Sequence, residues 1–325
     1  TEHVFSAPDV SDIYELPLVF FSQDLDHQLL KILGIWTGKA NLNKWEEMGE
    51  ECFKNSRLIL PICNHLSKIT KGRYSEKPVE TMYQAINPEN WFHKSGMELK
   101  HPCVGILQSA TIWEKTKELM ILPKILQKMP NVHFYWAGDG VYRDKVLPLL
   151  KKHENFHWIG SLEYPDKVRE FLTEIDVYAL ISGIDMSPLT LQEAQLMEKP
   201  VIATNLSINL GYIRNGKNGL ITDKEGQESI HESILSFIQD KGLASRLSEN
   251  TTVMANGELS TDFHMEKLMP KIVIIAMIKY GGATPLSFDP MKEILTMEIK
   301  NNASANALCS TLLELSSEYE DSRGA

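Results

Sequence analysis

Ser182-Gly183-Ile184-Asp185-Met186-Ser187-Pro188-Leu189-Thr190-Leu191-Gln192-Glu193-Ala194-Gln195-Leu196-Met197 follows an apolar run and opens an amphipathic one. The run Val177–Ser182 reads as a strand and Pro188–Met197 as a helix. Ser187 suits the N-cap and Pro188 the first helical position. Such a helix begins at the carboxyl edge of its strand, where open α/β sheets bind ligands. Its dipole and first N–H groups would face the crevice and suit a diphosphate. Glu193 falls one turn after Thr190 on the same helix face, and Asp185 sits in the preceding loop. The plainer alternative for these residues alone is a capped helix flanked by two solvated carboxylates.

Moving outward, the same alternation recurs. Apolar runs stand at Val104–Gln108, Val132–Gly138, Phe156–Ser161, Pro200–Asn205 and Gly219–Thr222. Helical patterns lie between or after them, at Lys115–Lys128, Tyr142–Lys152, Pro165–Glu174 and Gln227–Gln239. Each crossover has helical length, as parallel strands require, so the expectation is a parallel sheet flanked by helices.

Upstream, Pro17–Ser22 and Leu58–Cys63 read as strands, and Trp45–Phe53 and His65–Lys71 as helices. These elements make only part of an α/β domain. The polar, turn-rich stretch from Asn87 to Pro102 reads as an interdomain linker. A helix is expected from Phe263 to about Tyr280, stopped by Gly281-Gly282. From Thr284 the tail carries weak helical patterning and ends in acidic, serine-rich residues. The expected organisation is a partial N-terminal domain over 1–98, a ligand-binding domain over 99–262, a returning helix over 263–283 and a tail over 284–325.

Composition sets limits on function. The 325 residues are 43% hydrophobic and 23% charged, the balance of a globular protein with a sizeable core. A net charge of −10 without a basic run argues against nucleic acid as a partner. Cys52, Cys63, Cys103 and Cys309 form no C-x-x-C pair and no zinc-like spacing, which reads as reduced thiols in a cytoplasmic protein. The longest apolar run, Ile272–Ile278, is too short to span a bilayer, leaving at most peripheral membrane contact.

Two further edge loops carry candidate chemistry. Lys115 opens a helix after the strand Val104–Gln108, where its ammonium could neutralise a leaving diphosphate; a solvated lysine is the alternative. Gly138-Asp139-Gly140 could let backbone approach a ligand closely. It is not a dinucleotide fingerprint, because Arg143 stands where a third glycine belongs. Asp24-Leu25-Asp26 with His27 fits a D-x-D metal pattern, but Asp26 is also a natural N-cap, and the expectation is no metal.

Taken in order, these segments resemble the donor domain of family 4 glycosyltransferases, which have the GT-B fold. The motifs that carry the resemblance are Gly105–Gln108 with Glu114-Lys115-Thr116, Gly138-Asp139-Gly140, and Trp158-Ile159-Gly160. They continue with Asp185 and Glu193-Ala194 for a Glu-x7-Glu motif, Pro200-Val201-Ile202-Ala203, and Asn215-Gly216-Lys217-Asn218-Gly219-Leu220. The resemblance covers Val104 to Thr222. It extends weakly to Val79–Trp91 and Phe20–Asp24.

The resemblance implies two facing Rossmann-like domains, the N-terminal one incomplete. It implies transfer of a sugar from a nucleotide-sugar donor to a sugar, lipid-linked or small-molecule acceptor, with retention, no metal and no cofactor. The residues it assigns to the donor are Gln108, Ser109, Lys115, Gly138, Asp139, Gly140, Gly160, Asp185, Met186, Ser187, Leu189, Thr190 and Glu193. Within that set Lys115, Asp185 and Glu193 are the catalytic candidates. Lys115 would meet leaving-group charge, Glu193 would hold the ribose and Asp185 would orient sugar hydroxyls.

Several positions depart from the family pattern. Asp185 replaces a glutamate, Gln108 or Ser109 an arginine, and Gln23 a histidine, with His27 close by. The run Asn205–Gly211 lacks the paired glycines and the acid that follow in the family. A module that binds donor without turnover is therefore the second reading, and a sugar-nucleotide epimerase on the same fold a third.

Overall fold

The computed structural model describes residues 18–22, 39–84, 86–183, 185, 187–206, 209–223, 226–256, 283–289 and 294–299. The expected helix from Phe263 to Tyr280 lies outside these residues, as do Gln23, Asp24, Asp26, His27 and Met186.

Six parallel strands form the main sheet: β3 (Cys103–Leu107), β4 (His133–Ala137), β5 (Phe156–Gly160), β6 (Val177–Leu180), β7 (Val201–Thr204) and β8 (Leu220–Thr222). Their spatial order is β5-β4-β3-β6-β7-β8. The chain thus winds outward from β3 in one direction, returns to β6 beside it, and winds the other way. The β3/β6 boundary is a topological switch point, where crossovers diverge to the two faces and leave a crevice at the carboxyl ends.

Both sheet faces are covered, which is why the strands read as near-continuous apolar runs. Period-two alternation divides them between two cores. Val104, Ile106, Phe134, Trp136, Val177, Ala179 and Ile202 pack on one side. Cys103, Leu107, Tyr135, Ala137, Tyr178, Leu180, Val201 and Ala203 pack on the other. Gly105 is the close approach on that second side, since a Cβ there would come within 2.6 Å of Ile175 Cδ1.

The flanking helices largely follow the apolar periodicity. They include α5 (Arg143–Leu150), α6 (Asp166–Glu174), α7 (Leu189–Leu196) and α8 (Gln227–Gln239). The expected helix Lys115–Lys128 is instead broken into α3 (Trp113–Thr116), a 3-10 stretch Lys117–Ile121 and α4 (Leu122–Lys128). Pro123 explains the break, because it has no N–H to continue an α-helical ladder and sits in the first turn of α4. A further helix, α9 (Lys241–Asn256), was not evident in the pattern; the Asp240 carboxylate accepts from Leu243 N at 2.8 Å in its first turn. The expected helical pattern of the tail is overturned. β9 (Ala283–Asp289) and β10 (Ile294–Ile299) pair antiparallel. Pro285 opposes helix there, and Ile294, Thr296 and Ile299 are β-branched.

Upstream, β1 (Leu18–Ser22) and β2 (Ser56–Pro61) pair parallel through α1 (Lys39–Asn55), and Val79 bridges to Ile59. Phe53 stacks on Tyr74 and meets Phe20 edge-on, giving this region a small core of its own. Beyond α2 (Asn64–Arg73), the chain joins the larger body: Ile62, Cys63, Leu66 and Trp91 share a core with α6 and α7. The polar stretch read as a linker runs along α6, with Arg169 donating to Asn90 O and Lys94 N to Thr173 Oγ1. Among the described residues no helix is long and apolar enough to cross a membrane.

Candidate donor cleft

A cleft of about 410 Å³ opens at the carboxyl edge of the sheet, at the β3/β6 switch point. That volume suits a small-molecule ligand. Loops after four strands supply its walls: Gln108, Ser109 and Lys115 after β3, Gly138 and Asp139 after β4, Ser161 and Leu162 after β5, and Asp185 with Ser187, Pro188, Leu189 and Thr190 after β6.

The β3 loop is held from beneath. The Trp136 indole donates to Gln108 O at 2.8 Å, and the Gln108 amide donates to Lys115 O at 2.9 Å. This second bond ties the α3 turn to the strand end and so places Lys115. Gln108 Oε1 is buried without a hydrogen-bond partner among the described residues. Across the cleft the Lys115 ammonium donates to Asp185 Oδ2 at 3.1 Å. Both side chains are largely covered, at 27% and 11% exposure, so solvent screens the pair incompletely.

The start of α7 differs from the expected cap. Pro188, not Ser187, is the N-cap, and no side chain caps the helix. Ser187 Oγ lies 3.3 Å from Tyr212 Oη instead. The N–H groups of Leu189 and Leu191 close onto the carbonyls of Ser187 and Pro188, so they do not stand open to the crevice as expected. Proline at the cap accounts for this: at φ −76° and ψ 85°, Pro188 closes an inverse γ-turn between Ser187 and Leu189, and the Leu191 N–H follows with a 3-10-type bond. Thr190 Oγ1 accepts from the buried Tyr178 hydroxyl at 2.7 Å.

Glu193 lies one turn further along α7, 3% exposed and behind the cleft wall rather than in it. Burial pushes its carboxyl up to about 7, partly offset by a hydrogen bond from Tyr164. The Tyr178 phenol sits close enough to both Glu193 and Asp185 for each to oppose its ionisation, after burial itself. Lys115, Asp185, Thr190 and Glu193 therefore gather on one side of the domain around Tyr178.

Gly138 and Gly140 also serve the packing of the chain on itself. Gly138 has φ +151° and a Cβ there would lie 1.9 Å from Gln108 O; Gly140 has φ +150° and would strike Ala110 at 2.4 Å. Both glycines let two turns of this chain pack backbone to backbone. Asp139 accepts from Gly140 N and from Arg143, and Arg143 lies over the Trp158 ring. Gly160 O accepts from Gly138 N at 2.7 Å, so Gly160 ties β5 to this turn and does not line the cleft.

Of the residues singled out in the sequence, Gln108, Ser109, Lys115, Gly138, Asp139, Asp185, Ser187, Leu189 and Thr190 line the cleft. Gly140, Gly160 and Glu193 stand behind it. Tyr164, Tyr178 and Tyr212 were not foreseen; each is an aromatic in a strand or turn with no local pattern that separates support from packing. Tyr212 also meets Tyr83 edge-on at 5.3 Å, and a Cβ on Gly211 would come within 3.0 Å of the Tyr83 hydroxyl. The upstream region thus packs against the segment where paired glycines and an acid were missing.

Comparison with known proteins agrees with this geometry. Residues 89–254 match the family model described as Glycosyl transferases group 1. The lipopolysaccharide core biosynthesis glycosyltransferase LpsE of Rhizobium meliloti (strain 1021) is 24% identical over 170 residues, which is 51% of this chain and 50% of that protein. The chain thus spans about half the length of that curated relative. A local likeness to CTP synthase of Syntrophus aciditrophicus (strain SB), 47% over 45 residues, covers 14% of this chain and 8% of that enzyme. Among solved structures, Anabaena Alr3699/HepE in complex with UDP and glucose superposes with a TM-score of 0.67 at 14% identity. It covers 83% of this chain and 75% of that one. The likeness shows the fold, the GT-B arrangement of α/β domains with parallel sheets.

Proposed function

Because the chain belongs to the glycosyl transferases group 1 family, we propose that it moves a sugar from a nucleotide-sugar donor to an acceptor, as a retaining, metal-independent hexosyltransferase of family 4. One observation carries the reading: Lys115 and Asp185 meet at 3.1 Å across a cleft at the switch point of the sheet. The UDP and glucose bound by HepE support a nucleoside diphosphate as the donor's leaving group.

In departure of a nucleoside diphosphate the barrier is mostly developing negative charge. Lys115 answers it with a preorganised ammonium in a partly desolvated wall. Ser187 and Thr190, at the entrance of α7, present hydroxyls and the positive end of the helix dipole to the phosphates. Asp185 accepts hydroxyl protons from the sugar. It also holds Lys115 before donor arrives, so binding exchanges one anionic partner of Lys115 for another. Glu193 stands behind the cleft wall, and it accepts from the ribose once it is ionised and Tyr164 gives up its hydrogen bond. With the cation and helix meeting the charge, the scheme requires no metal and no cofactor.

The second reading, a module that holds donor without turnover, draws on two features. Lys115 is already engaged by Asp185, and Glu193 is covered by Tyr164. Titration with UDP, UDP-glucose and a panel of other nucleotide sugars, followed by single-turnover analysis of transfer and donor hydrolysis, separates the two. Transfer or slow hydrolysis supports the transferase. Binding without either supports the module. Failure to bind any nucleotide removes both.

A further inference from the structure

At the opposite, amino edge of the main sheet, three different ligand-bearing side chains converge. His101 and Cys103 flank the entry to β3, and Asp176 precedes β6. Their nearest ligand atoms all lie within 4.8 Å of one another. His101 Nδ1 is 2.8 Å from Asp176 Oδ2 and 3.7 Å from Cys103 Sγ. We propose that His101, Cys103 and Asp176 form a binding site for a zinc-class divalent cation, separate from the donor cleft.

The geometry is close to that of a tetrahedral cage. With Zn–N and Zn–O near 2.0–2.1 Å and Zn–S near 2.3 Å, the ligand-to-ligand edges should be about 3.6 Å for N···S and about 3.4 Å for N···O. The first is nearly met. The second needs the His101–Asp176 contact to open by roughly half an ångström, as a shared cation replaces a hydrogen bond.

Outer partners are in place. Glu174 Oε1 lies 2.8 Å from His101 Nε2, so a carboxylate can hold the far nitrogen protonated and leave Nδ1 to face a cation. Asp176 Oδ2 also accepts from Cys103 N at 2.8 Å, which orients the carboxylate toward the thiol. His101 and Asp176 are partly exposed, giving an entry path and room for a water as fourth ligand, while Cys103 is fully buried.

Charge also balances. Binding breaks the Cys103 S–H bond, forms an S–metal bond and releases the proton to solvent. Thiolate and carboxylate then cancel the divalent charge, which suits a site near Lys199 and Lys241. The competing arrangement is an ion-pair clamp in which protonated His101 bridges Asp176 and Glu174 with no metal.

Cobalt(II) titration of the full chain tests the proposal. We expect a thiolate-to-cobalt charge-transfer band at one equivalent, displaced by zinc, and a higher Tm with zinc than with chelator. Cys103→Ser should abolish the band, although Cys52, Cys63 and Cys309 remain. Glu174→Gln should weaken cobalt binding about 10–100-fold while keeping the band. If Cys103→Ser does not fold, His101→Gln takes its place. No band and an unchanged Tm in the parent chain would overturn the site, as would a band that survives both Cys103→Ser and His101→Gln.

Discussion

The ammonium of Lys115 donates to the carboxylate of Asp185 at 3.1 Å, although 70 residues separate them. One partner stands in α3, just past the β3 loop, and the other in the β6 loop, and these strands are neighbours only because the sheet order reverses between them. On the proposed reading, the pair marks where a donor diphosphate enters.

If Lys115 stabilises leaving-group charge, Lys115→Ala should lower kcat more than it raises KM, a loss on the order of 3–4 kcal/mol at the transition state. Asp185→Asn should release Lys115, tighten UDP binding in a calorimetric titration and still slow transfer from a nucleotide sugar. Asp185→Glu should preserve or raise transfer if this residue faces the sugar. Equal rates and affinities in the parent and in Lys115→Ala would remove Lys115 from the site.

The family's arginine position can be assigned by substitution. Gln108 is buried and holds the α3 turn, whereas Ser109 is exposed at the cleft. Ser109→Arg should therefore strengthen UDP binding by about tenfold, the worth of one charge-assisted hydrogen bond. Gln108→Arg should lower Tm without that gain. The reverse outcome would place the missing cation at Gln108.

Glu193 makes stability depend on pH. Its folded-state carboxyl titrates near 7, against 4.5 for the reference group. Below about pH 4.5 both states are protonated and nothing is lost. As pH rises through about 7 the unfolded chain releases its proton first, so stability falls by an amount on the order of 3 kcal/mol. Urea unfolding between pH 4 and 8 should show this decline in the parent and a flatter profile in Glu193→Gln. If Tyr164 yields its hydrogen bond to the donor, UDP-sugar affinity should rise over the same range in the parent, because only the carboxylate accepts ribose hydroxyl protons. A parent profile as flat as that of Glu193→Gln would mean the buried carboxyl ionises normally.

Gly138→Ala should cost about 2–4 kcal/mol, combining an unfavourable φ with a clash against a backbone oxygen that cannot move aside. Gly216→Ala, at φ +73° with nothing within 4 Å of the new Cβ, should cost only about 1–2 kcal/mol. Thermal unfolding of the two variants should rank them in that order.

Much of this architecture was legible from local pattern. Runs such as Val177–Ser182 followed by Pro188–Met197 announce a strand and a helix because burial on both faces demands apolar strands, while a flanking helix repeats every 3.6 residues. Motif order from Gly105 to Leu220 pointed to the same fold. Pro123, inside the expected Lys115–Lys128 helix, is a local signal of the break, and Pro285 likewise argues against helix in the tail.

By itself, then, the sequence determined the strands of the main sheet, most of the helices that flank it, and which polar residues reach the carboxyl edge, since these depend on neighbours a few positions apart. Only the tertiary structure decided how those residues meet. It paired Lys115 with Asp185, withdrew Glu193 behind Tyr164, and turned Gly138 and Gly140 against Gln108 and Ala110. It also gathered His101, Cys103 and Asp176 at the far edge. Each of these relations joins residues on different elements. Their distances are set by strand order and by packing against shared cores, terms that no local periodicity contains.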